Sequence, residues 1–419
     1  MLRSLSVRVL MALVLGLALG SAAAAYGGPA TKGVIGAAES VGTLWLNGLR
    51  MTVVPLLFSV LVVGVAGVAD AAATGRLALK ALAWFLGFLL IGCVWTIAFG
   101  HGLYALWPLA EAGAEALRAG APPPPAEVLA TPSFGEFLKG LAPTNPIKAA
   151  AEDAILPLVV FAAFFAFAIT RLPDARRIAL TEFFDSIAQV MVVIVRWVLW
   201  AAPVGVFALG LGVGLRAGVG AAGVIAHYVA AVSLAQVGIT ILAYVAAVVI
   251  GRVPLRQWTR AMAPVQVTAF ATQSSIACLP AMIEQSRDQL RVPDRVTGLV
   301  LPLAVSVFKL TSPVANIGVA LFVAQVYGIE PTVVQYLGAV VVALAVSVAS
   351  VGLPGQVSFF MSTGPICLVL GLPLDLLPIL IAVEVIPDIF RTVGNVTGDM
   401  AVTAIVARDQ RGKPEPVEA

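Results

Sequence analysis

Apolar runs, most of them about twenty residues or longer, follow one another from residue 7 to residue 407, and short clusters of arginine and lysine separate them. A helix of that length crosses the ~30 Å hydrocarbon layer of a bilayer while satisfying its own backbone hydrogen bonds. The chain is therefore predicted to be an all-α polytopic membrane protein. Composition supports this, because 60% hydrophobic and 11% charged residues, with a mean hydropathy of +1.01 over 419 residues, leave too little charge for a water-facing surface. The net charge of +3 carries no nucleic-acid signal, since the basic residues sit in small groups between apolar runs. Cys93, Cys278 and Cys367 lack paired spacing, and His101 and His227 stand alone. Neither a disulfide framework, nor a metal centre, nor a cofactor is implied.

The basic clusters set orientation, because cytoplasmic loops are the ones enriched in lysine and arginine. Arg3 and Arg8 place the N-terminus in the cytoplasm; spans at 7–27 and 41–69 return the chain to Arg76 and Lys80, and a third at 81–107 leads out to an Ala/Pro-rich linker, 108–145, with Pro122 to Pro125. Spans at 149–171, 187–214 and 222–251 follow, with Arg171, Arg176, Arg177, Arg252, Arg256 and Arg260 inside. The segment Met1 to Ala25 has the form of a signal peptide as well as of a first span, and the spans directly behind it favour the latter. Both termini are expected in the cytoplasm, with the protein multi-pass in the inner membrane.

Residues 261–286 break this alternation, because Arg287, Arg291 and Arg295 give their far side the same cytoplasmic signal as their near side. The segment is predicted to be a re-entrant hairpin, with arms near a dozen residues and Gln273, Ser274, Ser275 and Pro280 at its centre. The pattern recurs in mirror sense: a span at 296–326, a run at 333–370 interrupted at Gly352-Leu353-Pro354-Gly355, an outer turn at Gly371 to Asp375, and a charged helix at 376–407. Hairpin plus helix, twice and from opposite sides, is an inverted repeat, an arrangement in which carriers place substrate near the midplane.

In the last helix Glu384, Asp388, Arg391, Asn395 and Asp399 recur at steps of three or four. At ~100° per residue they occupy an arc of about 80°. The intervening Val385, Ile386, Ile389, Val393, Val396 and Met400 leave no solvated second face, and ionisable groups in a membrane span are kept where a substrate, an ion or an internal partner needs them. An internal pair of Asp388 with Arg391, without any ligand, is the plain structural alternative. Asn395-Val396-Thr397 also fits a glycosylation sequon, but lies in mid-span.

Four phrases carry a resemblance: Leu141-Ala-Pro-Thr-Asn-Pro146, Thr272-Gln-Ser-Ser-Ile-Ala-Cys-Leu-Pro280, Gly352-Leu-Pro-Gly355 and Asp388-Ile-Phe-Arg-Thr-Val-Gly-Asn-Val-Thr-Gly-Asp399. In this order the chain resembles the dicarboxylate/amino acid:cation symporters, the glutamate transporter homologues. The resemblance implies a homotrimer of eight transmembrane helices plus two re-entrant hairpins, working by an elevator-type motion of a transport unit against a scaffold. On that basis residues 1–257 are mainly scaffold and trimerisation helices, with the third span joining the transport unit, 258–408 are the core transport region and 409–419 a cytoplasmic tail. The implied function is secondary active transport of aspartate, glutamate or related dicarboxylates. Arg391 would take the distal carboxylate, since its planar fork matches one. Asp388 would take the substrate ammonium, Asn395 and the backbone at Ser274, Ser275 and Gly355 the α-carboxylate, and Thr392 would add a hydroxyl.

The departures bear on coupling. Where the family carries Asn-Met-Asp-Gly-Thr, with sodium-binding Asn and Asp, this chain reads Phe308-Lys309-Leu310-Thr311-Ser312, and third-span oxygen-bearing positions are Phe85, Phe88 and Leu89. Sodium needs oxygen ligands, which these side chains do not supply. Lys309 is expected to substitute for the lost cation beside Asp399, making transport sodium-independent, with a proton carried by Lys309, Glu384 or Asp388, or simple exchange, left as the drive. The alternatives are a snorkelling Lys309 and a cation site of backbone carbonyls near Ser306. At the level of function, the alternatives are a non-transporting sensor or anion channel, and a hydrolase using Ser274 or Ser275 with Lys309 as base.

Overall fold

The computed structural model describes residues 5–73, 75–120, 139, 142–152, 154–217, 220–349 and 355–409. The elements defined among them are all helices. The first half comprises α1 (Leu5–Tyr26), α2 (Pro29–Arg50), α3 (Val53–Ala73), α4 (Arg76–Leu106), α5 (Glu111–Gly120), α6 (Pro146–Ala151), α7 (Ile155–Ile169), α8 (Asp174–Trp200), α9 (Ala202–Ala217) and α10 (Gly220–Val249). The second half comprises α11 (Leu255–Thr272), α12 (Ser275–Asp288), α13 (Asp294–Val307), α14 (Thr311–Tyr327), α15 (Val333–Ala349), α16 (Gly355–Val369), α17 (Leu377–Val383) and α18 (Val385–Val406). Among the described residues six stretches are long and apolar enough to cross a bilayer: Arg8–Tyr26, Gly33–Ala69, Arg76–Leu106, Asp174–Trp200, Gly223–Val249 and Asp294–Tyr327. Their outer faces stay apolar. Along α8, for example, Phe183, Val190, Val193, Trp197 and Trp200 are exposed, which water does not favour and lipid or another protein surface does.

Several predicted spans are finer-grained than the hydropathy suggested. The second is α2 and α3 with a turn at Met51 and Thr52, the fourth is the short α6 followed by α7, and the fifth is α8 and α9 meeting at Ala201. The first hairpin consists of α11 and α12, of 18 and 14 residues, longer than the expected dozen. It turns at Gln273, which adopts a left-handed φ of 50°. The Pro122 to Pro125 linker, the Gly352-Leu353-Pro354 phrase and the tail from residue 410 lie outside the described residues.

Helix α1 packs backbone to backbone on α9. Gly16 and Gly20 face Gly210 and Gly214, and a Cβ built on Gly20 would lie 2.2 Å from the Leu211 carbonyl oxygen. Small residues spaced by four on both helices let membrane helices approach this closely. The predicted first span is thus a packed element of the fold.

In the second half a helix pair is twice followed by a broken helix. The pair α11 and α12 precedes α13 and α14, which part at Phe308 to Leu310; the pair α15 and α16 precedes α17 and α18, which part at Glu384. The predicted continuous helix 376–407 is therefore interrupted. Each break has a local cause: a proline lacks the N–H for its own hydrogen bond and its ring collides with the carbonyl four residues back. Pro313 lies four residues after Lys309, and Pro387 four after Val383. Helix α18 ends up in the interior, with α10 alongside it and α4 and α11 to α14 around it.

Candidate functional site

The face of α18 selected by sequence lies within the protein. Glu384, Arg391, Thr392, Asn395 and Asp399 are all buried, and Asp388 is mostly covered. Removing a charge from water costs several kcal/mol per ion even after relaxation, so each charge there needs a partner. Arg391 finds Glu384: its Nη2 forms a direct hydrogen-bonded ion pair with Glu384 Oε1. Asp388 is farther away, its Oδ1 lying 3.7 Å from Arg391 Nη1. The expected internal partner of Arg391 was Asp388, and the structure adds a nearer one. Glu384 keeps helical backbone angles where α17 meets α18, so it lies about two turns before Arg391 on the same face. Two carboxylates against one guanidinium leave this trio with a formal charge of −1 when all three are ionised.

Two further contacts come from distant segments. Tyr228 of α10 donates its hydroxyl to Glu384 Oε2 at 2.7 Å, so that each carboxylate oxygen of Glu384 has its own partner. Thr311, the first residue of α14, donates its backbone N–H to Asn395 Oδ1 at 3.0 Å. A helix start carries unsatisfied N–H groups, and here a side chain from another helix accepts one of them. The Thr311 hydroxyl lies 2.8 Å from the Arg391 carbonyl oxygen and 2.9 Å from Asn395 Oδ1, its single proton serving one at a time. Since an N–H can only donate, the oxygen of Asn395 must face Thr311, and its Nδ2 donors are left without a protein partner among the described residues. The Nε of Arg391 is likewise buried without an acceptor. Donors are thus spare on the very face expected to meet carboxylates. The Thr392 hydroxyl, expected to face substrate, instead donates to the Asp388 carbonyl at 3.0 Å.

At the first hairpin, Ser274 caps α12 by accepting the N–H of Ala277 at 3.3 Å, and Ser275 is buried. Both helices of the hairpin pack against α18, and Cys278, one turn further on, is buried. Gly355 begins α16, and residues 350–354 before it are outside the described part. Asn395 of the sequon is buried.

Around Asp399 the structure supplies carbon. The Phe85 and Phe308 rings stack with centroids 4.6 Å apart and 10° between planes, and Phe88 meets Phe308 edge-on at 6.3 Å. Leu310 and Phe308 pack against Gly398, next to the carboxylate. Both oxygens of the fully buried Asp399 lack a hydrogen-bond partner among the described residues. Lys309 is half-buried in the break between α13 and α14, and no hydrogen bond or ion pair within 4 Å joins it to Asp399. Ser306 is exposed.

Sequence reasoning did not find Tyr228 or Thr311. Tyr228 lies 156 residues before the carboxylate it touches, and no spacing rule connects them. Thr311 carried a local signal, since it lies within the departing phrase Phe308 to Ser312 and two residues before Pro313.

Fold and site together describe an all-helical protein of the multi-pass membrane class whose interior helix presents unpaired donors. The chain belongs to the sodium:dicarboxylate symporter family, whose profile matches residues 5–409. It is 28% identical over 413 residues to the proton/glutamate-aspartate symporter of Escherichia coli (strain K12), covering 97% of this chain and 92% of that protein. The proton/sodium-glutamate symport protein of Bacillus subtilis (strain 168) is 26% identical over 417 residues, covering 99% and 94%. The human neutral amino acid transporter A is 30% identical over 399 residues, covering 85% of this chain and 73% of that protein. A transporter family leaves no place for an enzyme here, and the reading of Ser274 or Ser275 as a nucleophile with Lys309 as base is set aside.

Proposed function

We propose that the protein is a secondary active carrier of acidic amino acids, aspartate or glutamate, or of related dicarboxylates. The observation that carries this reading is the set of unpaired donors on the buried face of α18, namely Asn395 Nδ2 and Arg391 Nε, beside Asp388. A carboxylate at each end of a substrate matches the two donor groups, and an ammonium between them matches Asp388. Thr392 contributes packing more than a hydroxyl, and the turns at Ser274, Ser275 and Gly355 supply backbone donors. The Escherichia coli relative, named for glutamate and aspartate, supports the substrate class.

Transport is independent of sodium. The support is the aromatic and aliphatic wall of Phe85, Phe88, Leu89, Phe308 and Leu310, together with Lys309 as the cation opposite Asp399. A proton is the coupling ion, carried by Glu384, Asp388 or Lys309. In this reading the transport unit holds α4 and α11 to α18, and it moves as an elevator within a homotrimer. Exposed apolar faces such as that of α8 suit subunit contact or lipid.

The test is uptake of labelled aspartate, glutamate, succinate and a neutral amino acid into proteoliposomes under choline, sodium or an imposed pH gradient. Accumulation of an acid under an inward proton gradient without sodium is the expected result. Binding without accumulation or exchange would instead identify a sensor, and failure of every acidic compound to bind would remove the substrate class.

A further inference from the structure

We propose that Tyr228 is a positioning residue for the substrate-binding arginine, acting through Glu384. The inference rests on the acidic-substrate reading above and adds to it a residue outside α18. Glu384 bridges two donors, with Oε2 accepting from the Tyr228 hydroxyl at 2.7 Å and Oε1 paired with Arg391 Nη2. Glu384 joins α17 to α18 with helical backbone angles, φ −61° and ψ −19°, and the tyrosine gives its side chain a second point of attachment beside Arg391. Tyr228 itself is rigidly placed. It is fully buried on α10, and its ring packs against Phe322 of α14 with centroids 5.0 Å apart. The line of contacts therefore runs from α14 through Tyr228 and Glu384 to Arg391.

The arrangement decides which part of the guanidinium stays free. With Glu384 held on Nη2, the Nε edge remains without an acceptor and Asp388 stays at 3.7 Å, free to serve an ammonium. Without the tyrosine hydroxyl, Glu384 keeps a single partner and can rotate, and Arg391 can close onto Asp388, which removes two substrate contacts at once. The charged or titratable groups facing Glu384 are Arg391 and Asp388 from α18 and Tyr228 from α10, with Tyr104 of α4 behind Tyr228. Tyr228 is the neutral member that orients the others.

The experiment is substrate affinity in the purified full-length protein for Tyr228→Phe, Glu384→Gln and the double variant, measured for an acidic and a neutral amino acid, with thermal unfolding alongside. Loss of one hydrogen bond to a charged group predicts a roughly tenfold weaker apparent affinity for the acid in Tyr228→Phe. Affinity for any neutral amino acid that binds should move far less. If Tyr228 works through Glu384, the double variant should bind the acid no worse than Glu384→Gln alone, since coupled residues are non-additive. Unchanged acid affinity in Tyr228→Phe, additive losses in the double variant, or a parallel loss for all substrates with lowered stability would each overturn the proposal. Should Tyr228→Phe fail to fold, comparing the acid-to-neutral affinity ratio of Tyr228→Trp with that of Glu384→Gln decides the point, a ratio left at the wild-type value counting against it. A wild-type protein that binds no acid defeats the functional reading, whereas acid binding that ignores Tyr228 defeats only this inference.

Discussion

Arg391 and Asp399 are buried charges of opposite sign, and they are satisfied differently. Arg391 has Glu384 in contact and Asp388 near it, whereas Asp399 has no hydrogen bond among the described residues, and Lys309 is the cation proposed to balance it. Truncating one partner of a buried charged set leaves the other uncompensated, at a cost of about 3–5 kcal/mol. Arg391→Ala should therefore lower acid affinity by at least roughly a hundredfold, read by isothermal titration, and should strand Glu384 as well. Lys309→Met should lower the thermal unfolding temperature in detergent or abolish expression, because Asp399 is then alone. Adding Asp399→Asn to Lys309→Met should restore most of that stability. A Lys309→Met protein as stable as wild type would mean that the ammonium reaches an interface and does not serve Asp399.

At the scale of elements, contact distance between helices is set by residues with no side chain. A methyl group on Gly20 would meet the Leu211 carbonyl, so a leucine there must push α1 off α9. Overpacking of this kind should destabilise Gly20→Leu by roughly 3 kcal/mol or more, visible as a lower midpoint of thermal unfolding. Gly394 sits where α18 meets two other helices: its Cβ would lie 2.4 Å from Thr311 Cγ2 and 2.7 Å from Thr240 Oγ1. Gly394→Ala should therefore weaken substrate binding without touching a substrate-facing side chain, because it moves Asn395 relative to the N–H of Thr311. Titration of acid binding against that of wild type checks this, and equal affinities would show that α18 and α14 can part without disturbing the site. The helix breaks belong to this scale too. Pro313 and Pro387 were visible in the sequence, each placing its interruption about one turn upstream, yet hydropathy windows average over such a position and read through it.

For the whole molecule the leading question is which ion drives transport. Uptake in choline should match uptake in sodium to within about twofold, since a carbon-lined site offers a sodium ion too few oxygen ligands. A steep requirement for external sodium would show that backbone carbonyls supply a site that the side chains of Phe85, Phe88 and Phe308 do not.

The length of the apolar runs and the three-to-four spacing of Glu384, Asp388, Arg391, Asn395 and Asp399 are local properties, and they were enough to specify a helical membrane protein with one polar interior face. Local periodicity acts over one or two turns, so the sequence could place these groups together without assigning their partners. The pairing was decided by tertiary structure: Arg391 takes the deeply buried Glu384 ahead of the partly exposed Asp388, and Asn395 turns its oxygen to the start of α14 because an unpaired N–H is waiting there. Tyr228 reaches Glu384 across 156 residues because α10 runs along α18. Such contacts are selected by the cost of leaving a buried polar group unmatched, a quantity that exists only once the chain has closed around it.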